Sequence, residues 1–206
     1  MKTGPRYKIC KRLGNSVFEK CQTQKFVLSE ARRSAVRKTT GRRPRTPSDY
    51  GKQLLEKQRA RLTYGLTEKQ LVRYVRGSGS LKGADAATQL LQTLETRLDN
   101  VVYRFGLAPT RRAARQMVSH GHIRVNAKRA TIPSYRIEEG DVISIREGSR
   151  DNVLFTELAE QLKERTLPVW LTFDEKKLEG LIKNSPTKET VETQLDLNVI
   201  LEFYSR

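Results

Sequence analysis

Apolar residues recur every three or four positions through the middle of the chain, then switch to every second position. From Leu94 onward, Leu98, Val101, Val102 and Phe105 share one face at helical spacing, and Gly106 is a natural stop. Pro109-Thr110 opens a second helix, with Thr110 placed to cap the amides of its first turn. Ala114, Met117 and Val118 of that helix turn inward, and Gly121 suits a left-handed C-cap. The period then becomes two. Ile123 and Val125 flank Arg124, Asn126-Ala127 makes a turn weaker than Asn-Gly, and Ile137, Ile143 and Ile145 continue the β part around the polar Glu138-Glu139-Gly140-Asp141 turn.

The same patterns organise the flanks. Ser48 or Asp49 starts a helix through Leu54, Leu55, Gln58 and Leu62, with Lys57, Arg59 and Arg61 on its polar side. Thr67 and Gln70 form a capping box ahead of Leu71, Tyr74 and Val75. Gly77-Ser78-Gly79-Ser80 is a break lacking the Gly-Lys-Ser/Thr ending of a phosphate loop, and a further helix runs from about Asp85 through Leu90, Leu91 and Leu94. Past Arg150, Leu154, Leu158 and Leu162 indicate a helix ended near Pro168. Trp170, Leu171 and Phe173, and then the alternating Val199, Leu201 and Phe203, read as short strands. The predicted class is α+β and mainly helical: a basic N-terminal arm over 1–46, a helical domain over 47–93, two helices with a small antiparallel β unit over 94–158, and a C-terminal helix with short strands over 159–206.

Charge sharpens this picture. The 206 residues carry a formal charge of +17. It is spread as +12 over 1–46, +4 over 47–93, +3 over 94–158 and −2 over 159–206. A polyanion gripped by the N-terminal half follows from such a balance. The arm has basic clusters at Arg32-Arg33, Arg37-Lys38 and Arg42-Arg43-Pro44-Arg45, but only a thin apolar face, which disfavours a membrane surface. No stretch reaches transmembrane length, and no apolar signal core follows Met1. With two cysteines and no secretion signal, a reducing cytosol is expected.

Candidate chemistry centres on the second module helix. Arg111, Arg115 and Ser119 fall four residues apart beside Arg112, so several guanidiniums leave one short rigid element. Arginine offers planar, bidentate hydrogen bonds to phosphate and keeps its charge at any working pH. Taken alone, the pattern fits a solvated surface helix as well as an RNA platform. Tyr50 and Tyr64 sit beside basic residues, either to stack on bases or to pack in the core. Cys10 and Cys21 lack the paired spacing of a zinc knuckle, and the two histidines lie about a hundred residues away; free thiols and no metal are expected. His120-Gly121-His122 has no cysteine or carboxylate partner nearby, so it is read as an RNA contact or a helix end. No cofactor is implied.

Arg97-Leu98-Asp99-Asn100-Val101-Val102-Tyr103-Arg104, Arg112 through Val118, His120-Gly121-His122-Ile123 and Val125-Asn126 closely resemble the RNA-binding module named after small-subunit ribosomal protein S-four, the αL motif. The flanks resemble the same ribosomal family, of bacterial or plastid type. They include Pro47-Ser48-Asp49-Tyr50-Gly51, Glu56-Lys57-Gln58, Tyr64-Gly65-Leu66-Thr67-Glu68 and the ending Leu201-Glu202-Phe203-Tyr204-Ser205-Arg206. The resemblance implies a non-enzymatic, primary binder of 16S-type ribosomal RNA that nucleates assembly of the subunit body and influences decoding accuracy. It also implies a cytoplasmic or plastid-stromal location in the small subunit, a contact with the neighbouring small-subunit protein S-five, and proximity to messenger RNA at the entry channel. By the same resemblance the residues after 158 fold back on the helical domain, making 94–158 an insertion.

Expected RNA contacts are Thr110, Arg111, Arg112, Arg115, Gln116, Ser119, His120, His122 and Asn126, together with Arg42, Arg43, Arg45, Tyr50, Lys57, Arg59, Arg61 and Tyr64. Arg97-Leu98-Asp99 also echoes the catalytic Arg-Leu-Asp of pseudouridine synthases, many of which carry this module. Here Asp99 lies inside a predicted helix and there is no room for a separate catalytic domain. The rival readings are a stand-alone RNA-modifying enzyme, a messenger-RNA repressor and a histone-like DNA compactor. This chain departs from the family pattern in lacking four zinc cysteines, the Gly-Gln-His-Gly run before Pro47, and the usual Asn-Gly at its hairpin.

Overall fold

The computed structural model describes residues 4–39, 47–79, 84–150, 152, 155, 167–174, 177–191 and 193–205. Contacts divide the chain into two compact units, Met1–Ala87 with Gln194–Arg206, and Thr88–Thr193. The division falls inside one helix, Ala84–Glu95.

The first unit is helical: α1 (Arg6–Leu13), α2 (Gln24–Thr39), α3 (Asp49–Thr63) and α4 (Glu68–Ser78). Two 3-10 turns between α1 and α2 fold the chain back, so that Leu13, Val17, Phe26 and Leu62 close a small core around Cys10 and Cys21. The expectation of free thiols is overturned here. The two cysteines form a disulfide with their Cα atoms 6.4 Å apart, within the range such a bond accepts. Their eleven-residue separation says nothing of the turn that brings them together.

Ser48 caps α3, its hydroxyl accepting from Gly51 N at 3.3 Å. The capping box ahead of α4 forms as expected: Gln70 N donates to Thr67 Oγ1, and Thr67 N to Gln70 Oε1. The buried row of α3, however, is Gln53, Lys57 and Ala60 rather than Leu54, Leu55 and Gln58. Its cause is a helix that alternation had disguised as a strand. Residues 197–204 form α8 (Leu197–Tyr204), capped by Asp196, whose Oδ1 accepts from Asn198 N and Val199 N. Leu197 and Ile200 bury one helical face, and α8 lies against α3 and α4.

Packing α8 there sequesters a charge. Lys57 sits 4.6 Å from the Phe203 ring centroid and donates to Glu68 Oε1 at 2.7 Å; the Tyr204 hydroxyl donates to the same oxygen at 2.7 Å. Burial pushes the Glu68 carboxyl up, but the hydrogen bonds from Lys57 and Tyr204 and the charges of Lys57 and Arg61 outweigh burial and hold it below its usual value. Burial, and then the bond to anionic Glu68, push the Tyr204 phenol up.

The second unit holds the rest of α5 (Ala84–Glu95), α6 (Leu98–Arg104), α7 (Arg111–Ser119) and five strands: β1 (Ile123–Val125), β2 (Lys128–Ala130), β3 (Val142–Ile145), β4 (Leu171–Asp174) and β5 (Glu179–Ile182). The strands form one antiparallel sheet ordered β2-β1-β3-β5-β4. Ile123, Ile143 and Ile145 are fully buried, and the alternating Arg124 and Ser144 are not.

Two expectations need correcting. The apolar stripe that begins at Leu94 is not one helix, because Leu94 belongs to the last turn of α5 and the chain breaks at Thr96-Arg97, where Arg97 bridges to Arg136 as a strand would. The tail after residue 158 does not behave as one piece either. Strands β4 and β5 extend the module's sheet, since β3 has a free edge for β5, while only Gln194–Arg206 groups with the helical unit. The helix expected over Leu154, Leu158 and Leu162 lies outside the described residues.

Gly180 of β5 faces Phe105 at the C-terminus of α6; Phe105 in turn packs on Phe173 with ring centroids 5.7 Å apart. A Cβ on Gly180 would collide with the Phe105 ring. Gly180→Ala is therefore expected to lower unfolding stability by about 1–3 kcal/mol through overpacking, measured by chemical denaturation.

The Glu68 carboxyl sets an acid dependence of known sign. Its pKa is depressed by folding, so its contribution is complete above the ordinary value of 4.5 and is lost as pH falls through the lower folded value. Glu68→Gln should be less stable than wild type at neutral pH. The two stability curves should converge as pH falls from 4.5 through the lower folded value, in denaturation series across pH.

Candidate nucleic-acid interface

Helix α7 is closed at both ends by its own sequence. Thr110 Oγ1 accepts from Ala113 N at 3.1 Å. At the other end Gly121, at φ +75°, allows Gly121 N to donate to Val118 O and His122 N to Met117 O, the paired bonds of a Schellman motif. Ala114, Met117 and Val118 are buried, which leaves Arg112, Gln116, Ser119 and His120 exposed along the opposite side.

Beneath α7 lies a buried polar network. Asp99 is 3 % exposed and accepts from two arginines. Arg97 engages both its oxygens, Nε to Oδ1 at 3.1 Å and Nη2 to Oδ2 at 2.7 Å. Arg115 reaches it from α7, with Nε at 2.7 Å and Nη2 at 2.6 Å from Oδ2. Glu95, wholly buried, holds Arg104 through both its oxygens at 2.8 and 2.9 Å. Asn100 links the two helices: its amide donates to Glu95 Oε2 at 2.8 Å, and its carbonyl accepts from Arg111 Nε at 2.8 Å. Arg111 also lies 4.4 Å from the Tyr103 ring centroid. Buried carboxylates are tolerated only when paired and hydrogen-bonded, as both of these are. At 3 % exposure, Asp99 is held between two guanidiniums.

The loop after β2 completes the site from below. Leu98 N donates to Tyr135 O at 2.9 Å and Asp99 N to Pro133 O at 3.1 Å, so backbone carbonyls cap α6 in place of a side chain. Asn126 and Ala127 both have positive φ, 48° and 64°, as a two-residue type I′ hairpin requires. Without a glycine, the turn is held by the Asn126 side chain, which donates to Asp141 Oδ1 and accepts from Val142 N.

The expected contacts therefore separate. Arg111 and Arg115 are on α7 but anchored, and Arg112, Gln116, Ser119 and His120 are exposed beside them. Thr110 serves as the cap. Asn126 is committed to the hairpin, and His122 Nδ1 lies 3.0 Å from Ser149 Oγ. In the helical unit Tyr50 is exposed beside Phe203. Arg59 donates to Leu13 O and pairs with Glu56, and Arg61 pairs with Glu68 at 3.7 Å. Two expectations fail on burial: Lys57 is 8 % exposed under α8, and Tyr64 is 3 % exposed, so neither offers its head or ring to a ligand. Arg42, Arg43 and Arg45 lie outside the described residues.

One residue the sequence reading missed is Arg129. Its Nη2 donates to His120 O at 3.2 Å, and its guanidinium covers Gly121, where a Cβ would collide with it. Its position follows from the hairpin register, in which β2 pairs with β1 so that Arg129 lies opposite Arg124, on the face that Ile123 and Val125 turn away from. Among the described residues no three His, Cys, Asp or Glu side chains gather as a metal would need.

Two family models match the chain, one described as the ribosomal protein S4/S9 N-terminal domain over residues 1–95, the other as the S4 domain over 96–143. Proteins named small ribosomal subunit protein uS4 are similar along nearly their whole lengths. That of Halothermothrix orenii is 42 % identical over 206 residues, covering 98 % of each chain. That of Acetivibrio thermocellus is 41 % identical over 207 residues, covering 99 % of this chain and 98 % of its own. A uS4A protein of Symbiobacterium thermophilum is 42 % identical over 207 residues with the same coverage. Sequence likeness of that depth and extent, joined to the helix pair and sheet just described, means that the chain belongs to the uS4 family of small ribosomal subunit proteins.

Proposed function

We propose that the chain is a structural constituent of the small ribosomal subunit that binds folded 16S-type ribosomal RNA, with α7 and the end of β2 as its reading surface. The observation that carries this is the anchored set of guanidiniums: Arg111 and Arg115 fixed by Asn100 and Asp99, with exposed Arg112 and Arg129 alongside. Lysines and arginines release counterions from the phosphate backbone, which supplies affinity. Rigid spacing of the guanidiniums supplies selectivity for an RNA of matching shape, since A-form grooves are read by contour more than by base edges.

The finer reading is an early-binding protein that nucleates the subunit body and contributes to accuracy, with S-five and messenger RNA near the entry channel as neighbours. It acts without catalysis, in the cytoplasm or the plastid stroma. Membership of the uS4 family and the burial of Asp99 between two arginines support it over an RNA-modifying enzyme.

Arg112 and Arg129 make the cleanest test, because removing them leaves no buried carboxylate without its partner. Arg112→Ala with Arg129→Ala should weaken binding to small-subunit RNA and flatten the slope of log affinity against log salt by about 1–2 units in filter-binding titrations. An unaltered slope would take both residues off the interface.

A further inference from the structure

We infer that Asp99 and Asn100 are positioning residues for RNA recognition: buried under α7, they hold the guanidiniums of Arg115 and Arg111 at a fixed spacing, and the discrimination between RNA shapes depends on that hold. The inference rests on the RNA-binding reading of α7 above.

A carboxylate facing a polyanion should weaken binding by simple charge arithmetic, so its place under the basic helix calls for a reason. Neutralising Arg97 is not sufficient, because the Arg97 fork already engages both oxygens of Asp99. Arg115 is additional. It comes from another helix, sixteen residues on, and spends two of its nitrogens on Oδ2. Its side chain remains 32 % exposed while that of Asp99 is 4 % exposed, so the charge is anchored at its root and still reaches the surface. Asn100 does the same for Arg111 from one residue further along α6, with Tyr103 as the second wall. An arginine side chain has many rotamers to give up on docking. Held beforehand, it loses less, and it fits only phosphates at the matching distance.

The test compares the full-length wild-type chain with Asp99→Asn and Arg115→Lys, each titrated with a folded small-subunit RNA junction and with an unstructured RNA strand of equal length. Asp99→Asn adds one unit of positive charge. Under the proposal its affinity for the unstructured strand is unchanged or tighter, while its preference for the folded RNA falls on the order of tenfold. Arg115→Lys keeps the net charge and leaves Asp99 paired with Arg97, so it reports on geometry even where Asp99→Asn folds poorly. It should lose preference with an unchanged salt slope, and the double variant should lose no more than either single one.

A purely structural or purely charge-based role predicts otherwise: both RNAs change together, or the two substitutions add. Either result overturns the positioning role, as does Arg115→Lys with a wild-type preference. If wild type itself fails to prefer the folded RNA, the binding assignment of α7 falls first, and the inference with it.

Discussion

Two buried carboxylates, Glu95 and Asp99, decide the architecture around α6 and α7. Each is too costly to bury alone, so each must be met by guanidinium groups, and the chain meets them from three directions: Arg97 beside Asp99 itself, Arg104 at the end of α6, and Arg115 from α7. The pairing fixes how α7 lies on α6, which apolar packing of Ala114, Met117 and Val118 alone would leave free to slide. Charge that elsewhere would be solvated becomes part of the framework. Surface function and interior order then share the same side chains.

The helical unit treats its basic residues in the opposite way. Lys57, on the polar side of α3 when α3 is considered by itself, is covered by Phe203 and Tyr204 and tied to Glu68. Arg59 and Arg61 are drawn into bonds with Leu13, Glu56 and Glu68. A basic residue in a strongly cationic chain is therefore not by default a phosphate ligand. What decides is whether an acidic group and an apolar cover arrive from elsewhere in the fold.

That also explains what the sequence made legible. Local signals held wherever the interaction was local: the Thr110 cap, the Thr67–Gln70 capping box, the left-handed Gly121 and the alternation of Ile123 and Val125 all lie within a few residues of what they control. Interactions between distant positions were invisible. Nothing near Thr96 announces the bridge to Arg136, and nothing near Lys57 announces α8. Val199, Leu201 and Phe203 satisfied a two-residue period, but Leu197, Ile200, Leu201 and Tyr204 satisfied a helical one, and the Asp196 cap with the surface of α3 settled the choice. At the candidate interface the arginines of α7 were readable as a set. Their anchors were not, because Asp99 looks like an ordinary helix charge until Arg115 is seen to reach it; Arg129 was hidden by a register that only the hairpin establishes.

Because the helical unit is assembled from segments at opposite ends of the order of synthesis, it matures in an order different from that of its neighbour. A ribosome reading this message finishes every residue of Thr88–Thr193 before the first residue of α8 exists. Until then Lys57 has Glu68 of α4 beside it but lacks the Phe203 and Tyr204 rings that cover it. The closing of that helix is thus a late event that withdraws a charge from the solvent.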